Sequence, residues 1–150
     1  MGGAHILVVR NIAFIFIIPV VVFTACTNRH VNLTDIEFRW PNDMYLKSTQ
    51  KLYSGEILGY RDGTKQLYYS ACVKNGKLDG PRIRLYSNGK TFMRTEFKNG
   101  RRHGLEEWWH KNGNKWGRWE FNNGEAIEGS YELWEENGEV VFDWLADEYD

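Results

Sequence analysis

Asn75-Gly-Lys-Leu-Asp-Gly80, Asn99-Gly-Arg-Arg-His-Gly104 and Asn123-Gly-Glu-Ala-Ile-Glu-Gly129 write one short phrase at 24-residue steps, with further Asn-Gly pairs between them at Asn88, Asn112 and Asn137. Recurrence at a fixed step of this size marks a tandem repeat. Aligned on the Asn-Gly pairs, Leu85, Trp109 and Trp134 each stand three residues before the inner pair. Beyond that pair, Met93, Thr95 and Phe97 match Gly117, Trp119 and Phe121 at a spacing of two, the strand period, so each set shares one face of a strand. Arg94 and Glu96, matched by Arg118 and Glu120, take the other face. One side is expected to be apolar and the other charged.

Asn-Gly suits a two-residue hairpin turn, because a type I′ turn needs positive φ at both positions. Each unit therefore reads as a strand, a tight turn at the inner pair, a second strand, and a Gly-bounded connection such as Asn99 to Gly104. Gly89, Gly113 and Gly138 are the structural turn residues of this reading. A lone hairpin is marginal in water, so the units must stack and the ends must be capped. The predicted fold is all-β: tandem hairpins in a single elongated, curved antiparallel sheet of about four hairpins, preceded by a signal-peptide helix. Seven Trp, eight Tyr, eight Phe and fifteen Gly against three Pro suit a β structure rich in tight turns.

Upstream, the chain divides into a targeting segment at residues 1–25, a tether with a possible covering strand at 26–52, the repeat domain at 53–145 and an acidic tail at 146–150. Residues Ile12 to Ala25 form a charge-free apolar run of 14, short of the roughly 20 that a helix needs to span a bilayer. It fits a signal-peptide core. Phe23-Thr-Ala-Cys26 at its end resembles the lipobox of bacterial lipoproteins, with Phe where Leu is usual. That resemblance implies a lipid on Cys26 as the membrane contact and an exported, envelope-anchored protein. With Thr rather than Asp at position 27, it implies delivery to an outer membrane. Assigning Cys26 to lipid leaves Cys72 alone, so no internal disulfide is expected. Cys72 aligns with Glu96 on the charged face and reads as a half-exposed thiol. Ile36, Phe38 and Trp40 alternate with charge and predict one short strand that covers the array, with Trp40 as packing.

Leu85-Tyr-Ser-Asn-Gly89, Phe97-Lys-Asn-Gly-Arg-Arg-His-Gly104 and Trp119-Glu-Phe-Asn-Asn-Gly124 resemble the MORN repeat, in the variant of bacterial proteins described as antitoxin-like. The resemblance covers roughly residues 53 to 144. It implies a binding or scaffolding role, with masking of a toxic partner as an alternative.

No catalytic constellation stands out. His103, Glu106, Glu107 and His110 cluster in sequence, but a strand sends the two Glu side chains to opposite faces, so neither a metal site nor an enzyme is expected. No cofactor is implied, and a net charge of −1 gives no general reason to expect nucleic acid. Charge is nonetheless polarised: residues 74–118 hold twelve Lys and Arg against four Asp and Glu, while 128–150 hold nine acidic and no basic residues. Two readings stand, a solvated surface or a basic middle that meets an acidic partner or the acidic tail. The positions that vary between copies are the expected binding surface: Arg84 against Trp108, and Phe92 against Trp116. Trp108 and Trp116 either stack on a sugar, peptide or Arg side chain of a protein or envelope-component partner, or shield the second face of the sheet.

Overall fold

A computed structural model of the chain describes Cys26 and residues 29–40 and 42–143. The expected signal-peptide helix and acidic tail lie outside these residues. The elements are β1 (His30–Asn32), a 3-10 turn (Leu33–Asp35), β2 (Ile36–Arg39), β3 (Asp43–Leu46), β4 (Lys51–Leu52), β5 (Gly55–Tyr60), β6 (Leu67–Lys74) and β7 (Lys77–Leu85). They continue with β8 (Thr91–Lys98), β9 (Arg101–Trp109), β10 (Lys115–Asn122), β11 (Glu125–Ala126), β12 (Glu132–Trp134) and β13 (Val140–Asp143). There is no α-helix among the described residues, and no helix there is long and apolar enough to cross a membrane.

The main sheet is open, with strand order β1-β5-β6-β7-β8-β9-β10-β12-β13 and β11 beside β10. All its pairings are antiparallel except β1 on β5. The all-β hairpin expectation holds, but a single sheet does not suffice. β2, β3 and β4 form a second, three-stranded sheet. The strand expected from Ile36 onward therefore pairs within that sheet, and β1 covers the array's edge.

The turns exchange roles relative to the sequence reading. Both residues have positive φ at Asn75 and Gly76 (49° and 77°), Asn99 and Gly100 (51° and 81°) and Asn123 and Gly124 (53° and 100°). These outer turns have the type I′ signature, so the "connection" from Asn99 to Gly104 is a hairpin tip followed at once by β9. At the inner turns only the glycines are left-handed: Gly89, Gly113 and Gly138, at 81°, 99° and 91°. There Gly89 N–H donates to the Tyr86 carbonyl (3.1 Å) and Tyr86 N–H to the Lys90 carbonyl (2.8 Å), a three-residue loop repeated around Gly113 and Gly138. Asn88, Asn112 and Asn137 serve here through their side chains, each Oδ1 accepting the backbone N–H two residues on at 3.1, 2.9 and 2.9 Å. Their amides also lace neighbouring units: Asn88 Nδ2 donates to the Lys111 carbonyl and Asn112 Nδ2 to the Glu136 carbonyl.

The apolar core sits at the N-terminal end of the array. Ile36, Met44 and Leu46 of the small sheet pack with Tyr53, Ile57 and Val73, and Ile57 is fully buried. Register puts Val31, Ile57, Tyr69, Ala71 and Val73 on one face of the main sheet, here the core face. Met44 N–H donates to the Gly76 carbonyl (2.8 Å) and Gly76 N–H to the Tyr53 carbonyl (2.7 Å), so the small sheet is hydrogen-bonded onto the first outer turn. The single hydroxyl proton of Tyr53 is shared between the carbonyls of Arg29 (3.1 Å) and Glu56 (3.0 Å), and burial pushes its pKa up. Of the described residues before Tyr53, Ile36, Met44 and Leu46 enter the core, and β1 to β4 add strands beyond the one expected. Trp40, expected to pack, is 93% exposed.

Cys26 and Cys72 form a disulfide, with Cα atoms 5.6 Å apart across 46 residues. This overturns the expectation of unpaired cysteines. Cys72 is buried rather than half-exposed, and Gly80 makes room beside it, since a Cβ there would lie 3.1 Å from the Cys72 Cβ. A lipid thioether needs the same Cys26 sulfur, so a chain holding this bond carries no lipid on it.

Candidate binding face

Four strand pairs carry a one-residue bulge near the inner-turn end. Tyr68 is left over where Gly59 and Tyr60 oppose Tyr69 and Leu67, and Phe92 where Arg84 and Leu85 oppose Met93 and Thr91. Trp116 is left over where Trp108 and Trp109 oppose Gly117 and Lys115, and Val141 where Leu133 and Trp134 oppose Phe142 and Val140. The extra residues follow one another at 24, 24 and 25 positions, the repeat itself. A bulge re-aims a side chain. Phe92 and Trp116 accordingly join the core face, on the same side as Met93 and Trp119, instead of alternating to the outer face.

The result is a continuous aromatic line from Tyr86, just beyond β7, across β8 and β9 to β10. Ring centroids are 5.1 Å apart from Tyr86 to Phe92, 5.1 Å from Phe92 to Trp108, 5.6 Å from Trp108 to Trp116 and 6.0 Å from Trp116 to Trp119. The Phe92–Trp108 and Trp108–Trp116 contacts are edge-to-face, the arrangement that aromatic quadrupoles favour. Trp119 lies over Gly117, where an added Cβ would come within 2.5 Å of its ring. Trp116 remains 42% exposed, while Phe92, Trp108 and Trp119 are half-buried.

Beside the line lie the arginines. Register runs Arg84, Met93, Trp108 and Gly117 in one cross-strand row and Arg82, Thr95, Glu106 and Trp119 in the next. Glu106 is buried and engaged: it accepts from Thr95 Oγ1 (3.0 Å) and Trp108 Nε1 (3.2 Å), with Arg102 Nη1 at 3.6 Å. The guanidinium of Arg102 stacks on Phe121 at 3.8 Å and that of Arg82 on Phe97 at 4.8 Å. Burial lowers the Arg82 pKa, and its Nε is buried without a hydrogen-bond partner. Burial likewise raises the Tyr69 pKa, a shift that the neighbouring charges of Arg82 and Arg84 oppose.

Three of the four expected binding residues, Phe92, Trp108 and Trp116, thus touch in one line, and Arg84 lies on the same face two strands from Trp108. They do not shield the second face. Trp109 and Trp134 occupy the outer side instead, so the division into an apolar and a charged face fails for both sides. Tyr86, Trp119, Arg82 and Arg102 are the site residues that sequence reasoning passed over. The recurrence of Tyr68, Phe92 and Trp116 at the repeat step was the available signal.

The His/carboxylate cluster comes apart. Glu106 faces the core side, whereas Glu107 accepts from Lys115 Nζ on the other side at 2.6 Å. His110 Nε2 lies 3.1 Å from the Trp134 carbonyl at the inner turns, and His103 is exposed near the outer ones. Among the described residues no group of three or more His, Cys, Asp or Glu is placed to hold a metal ion. A separate open cleft of about 810 Å³ lies at the β1–β5 corner between Leu33, Tyr60, Arg61 and Tyr68. No family model matches the chain, and neither a curated protein nor a solved structure matches it.

Proposed function

We propose that this chain is an exported, non-enzymatic binding protein of the cell envelope, built from MORN-like hairpin repeats, whose core face captures another protein or an envelope component. The observation that carries the proposal is the aromatic line from Tyr86 to Trp119 on a stretch of sheet that the small second sheet does not cover. Large amphipathic rings in a contiguous, partly desolvated patch are the groups that dominate binding energy at interfaces. Three of the four bulges aim an aromatic ring, at Tyr68, Phe92 and Trp116. Export is supported by the apolar run before Cys26 and by the Cys26–Cys72 bond, since disulfides persist in oxidising compartments.

Affinity capture from detergent-solubilised envelopes tests the proposal, comparing the wild-type chain with the Trp108→Ala/Trp116→Ala variant after matched melting curves establish that both are folded. The wild type is expected to retain a stoichiometric partner that the variant loses. A toxic enzyme as that partner would assign a masking role, and a structural envelope protein a scaffolding one. Identical capture by both chains would overturn the proposal.

A further inference from the structure

We infer that the ligand of the core face is an acidic segment of a partner protein, its carboxylates meeting Arg82, Arg84 and Arg102 while its apolar side chains rest on Trp108 and Trp116. This rests on the binding-face reading above and adds the chemistry of the ligand.

The inference follows from where charges are compensated. On the outer face, signs alternate across the strands in the row Arg94, Glu107, Arg118 and Glu132. These groups pair: Arg94 with Glu96 at 2.6 Å, Lys115 with Glu107 at 2.6 Å and Arg118 with Glu132 at 3.0 Å. The remaining outer cations, Lys74, Lys77, Lys98 and Arg101, are exposed beside the outer turns, where water solvates them.

The core face is different. On its strand positions from β6 to β10 the charged residues are Arg82, Arg84, Arg102 and Glu106, three cations to one anion. That one carboxylate is already shared among Thr95, Trp108 and Arg102. Neither Arg82 nor Arg84 has an ion pair among the described residues, whereas Arg118 on the outer face, whose Nε is buried without an acceptor like that of Arg82, has its Nη2 on Glu132. The guanidinium groups of Arg82 and Arg102 rest over aromatic rings, and a guanidinium so placed can still bind carboxylates through its N–H groups, singly or as a bidentate pair. A surplus of positive charge with unused donors, set in an aromatic floor, is complementary to carboxylates spaced along an extended apolar segment. A neutral or basic segment would leave the same donors desolvated and unpaired, which is costly.

The test uses fluorescein-labelled peptides in which Glu, Gln or Lys alternates with Leu, with binding to the full chain read by fluorescence anisotropy. The Glu peptide is expected to bind, more weakly as ionic strength rises, and the Gln and Lys peptides to bind at least about tenfold more weakly. Arg84→Glu, at an exposed position that folding tolerates, should weaken the Glu peptide by about tenfold or more and strengthen the Lys peptide. Equal binding of all three peptides, lost together in Trp108→Ala/Trp116→Ala, would overturn the acidic-ligand inference while leaving the binding face intact. Undiminished Glu-peptide binding by that double variant would overturn the face itself. If the Glu peptide bound only after Asp147, Glu148 and Asp150 were changed to their amides, the occupant would be this chain's own C-terminal segment, and the partner inference would fail.

Discussion

Gly117 shows how one residue shapes the proposed surface. Its partner across the strand pair is Trp108, and its missing side chain lets the Trp119 ring lie against the sheet and close the aromatic line at 6.0 Å from Trp116. Its φ lies outside the left-handed region, so a Gly117→Ala substitution is not strained in the backbone. The atoms nearest to an added methyl group are those of the Trp119 ring, at 2.5 and 2.7 Å, and the Leu133 side chain, at 3.2 Å. Gly117→Ala is therefore expected to lower stability by about 1 to 3 kcal/mol through overpacking. It should also redden the tryptophan emission as Trp119 lifts off the sheet. An unchanged melting temperature and spectrum would show that the ring does not rest there. At this scale the sequence was informative about identity and poor about orientation. Alternation by two placed Met93, Thr95 and Phe121 correctly on one face. The same rule misplaced Phe92 and Trp116, because one extra residue in a strand resets the count and nothing in a single unit announces it.

Among the elements, the hairpin tips were the next test of the sequence reading. Six Asn-Gly pairs look alike, yet the outer three are two-residue turns with both residues left-handed and the inner three are longer loops in which Asn caps by its side chain. Asn-Gly satisfies either geometry, so the choice lies in register and packing between neighbouring units. The small sheet was illegible for another reason: β2 to β4 have no repeat to align, and their place is set by tertiary contacts, docking on Gly76 and the packing of Ile36, Met44 and Leu46 against Ile57 and Val73. The disulfide belongs to this scale as well, tying the chain ahead of β1 to β6. Closing a 46-residue loop is expected to contribute about 2 to 4 kcal/mol. Cys72→Ser should lower the melting temperature correspondingly, and reductant should do the same to the wild type. Intact mass of the mature wild type is expected to be two hydrogens below the fully reduced value, with no acyl chains. An acylated mass, or a melting curve indifferent to reductant, would restore Cys26 to the membrane.

Considered as a whole molecule, the chain has two differently built ends. At one, the small sheet and the core around Ile57 cover the core face of β5 and β6. Farther along, the same face continues over β7 to β10 as aromatic rings and stacked arginines without that cover. The repeat supplies the frame, and the substitutions within it, Arg84 to Trp108 and Phe92 to Trp116, make the face differ from one unit to the next. Recognition by this face is tested by placing a photo-crosslinking benzoylphenylalanine at Trp116 on the core face or at Glu120 on the outer face and irradiating intact cells. A single cross-linked protein partner from position 116 and none from position 120 is the predicted result. A partner captured from position 120 alone, or none from 116 in a correctly folded and exported chain, would contradict it.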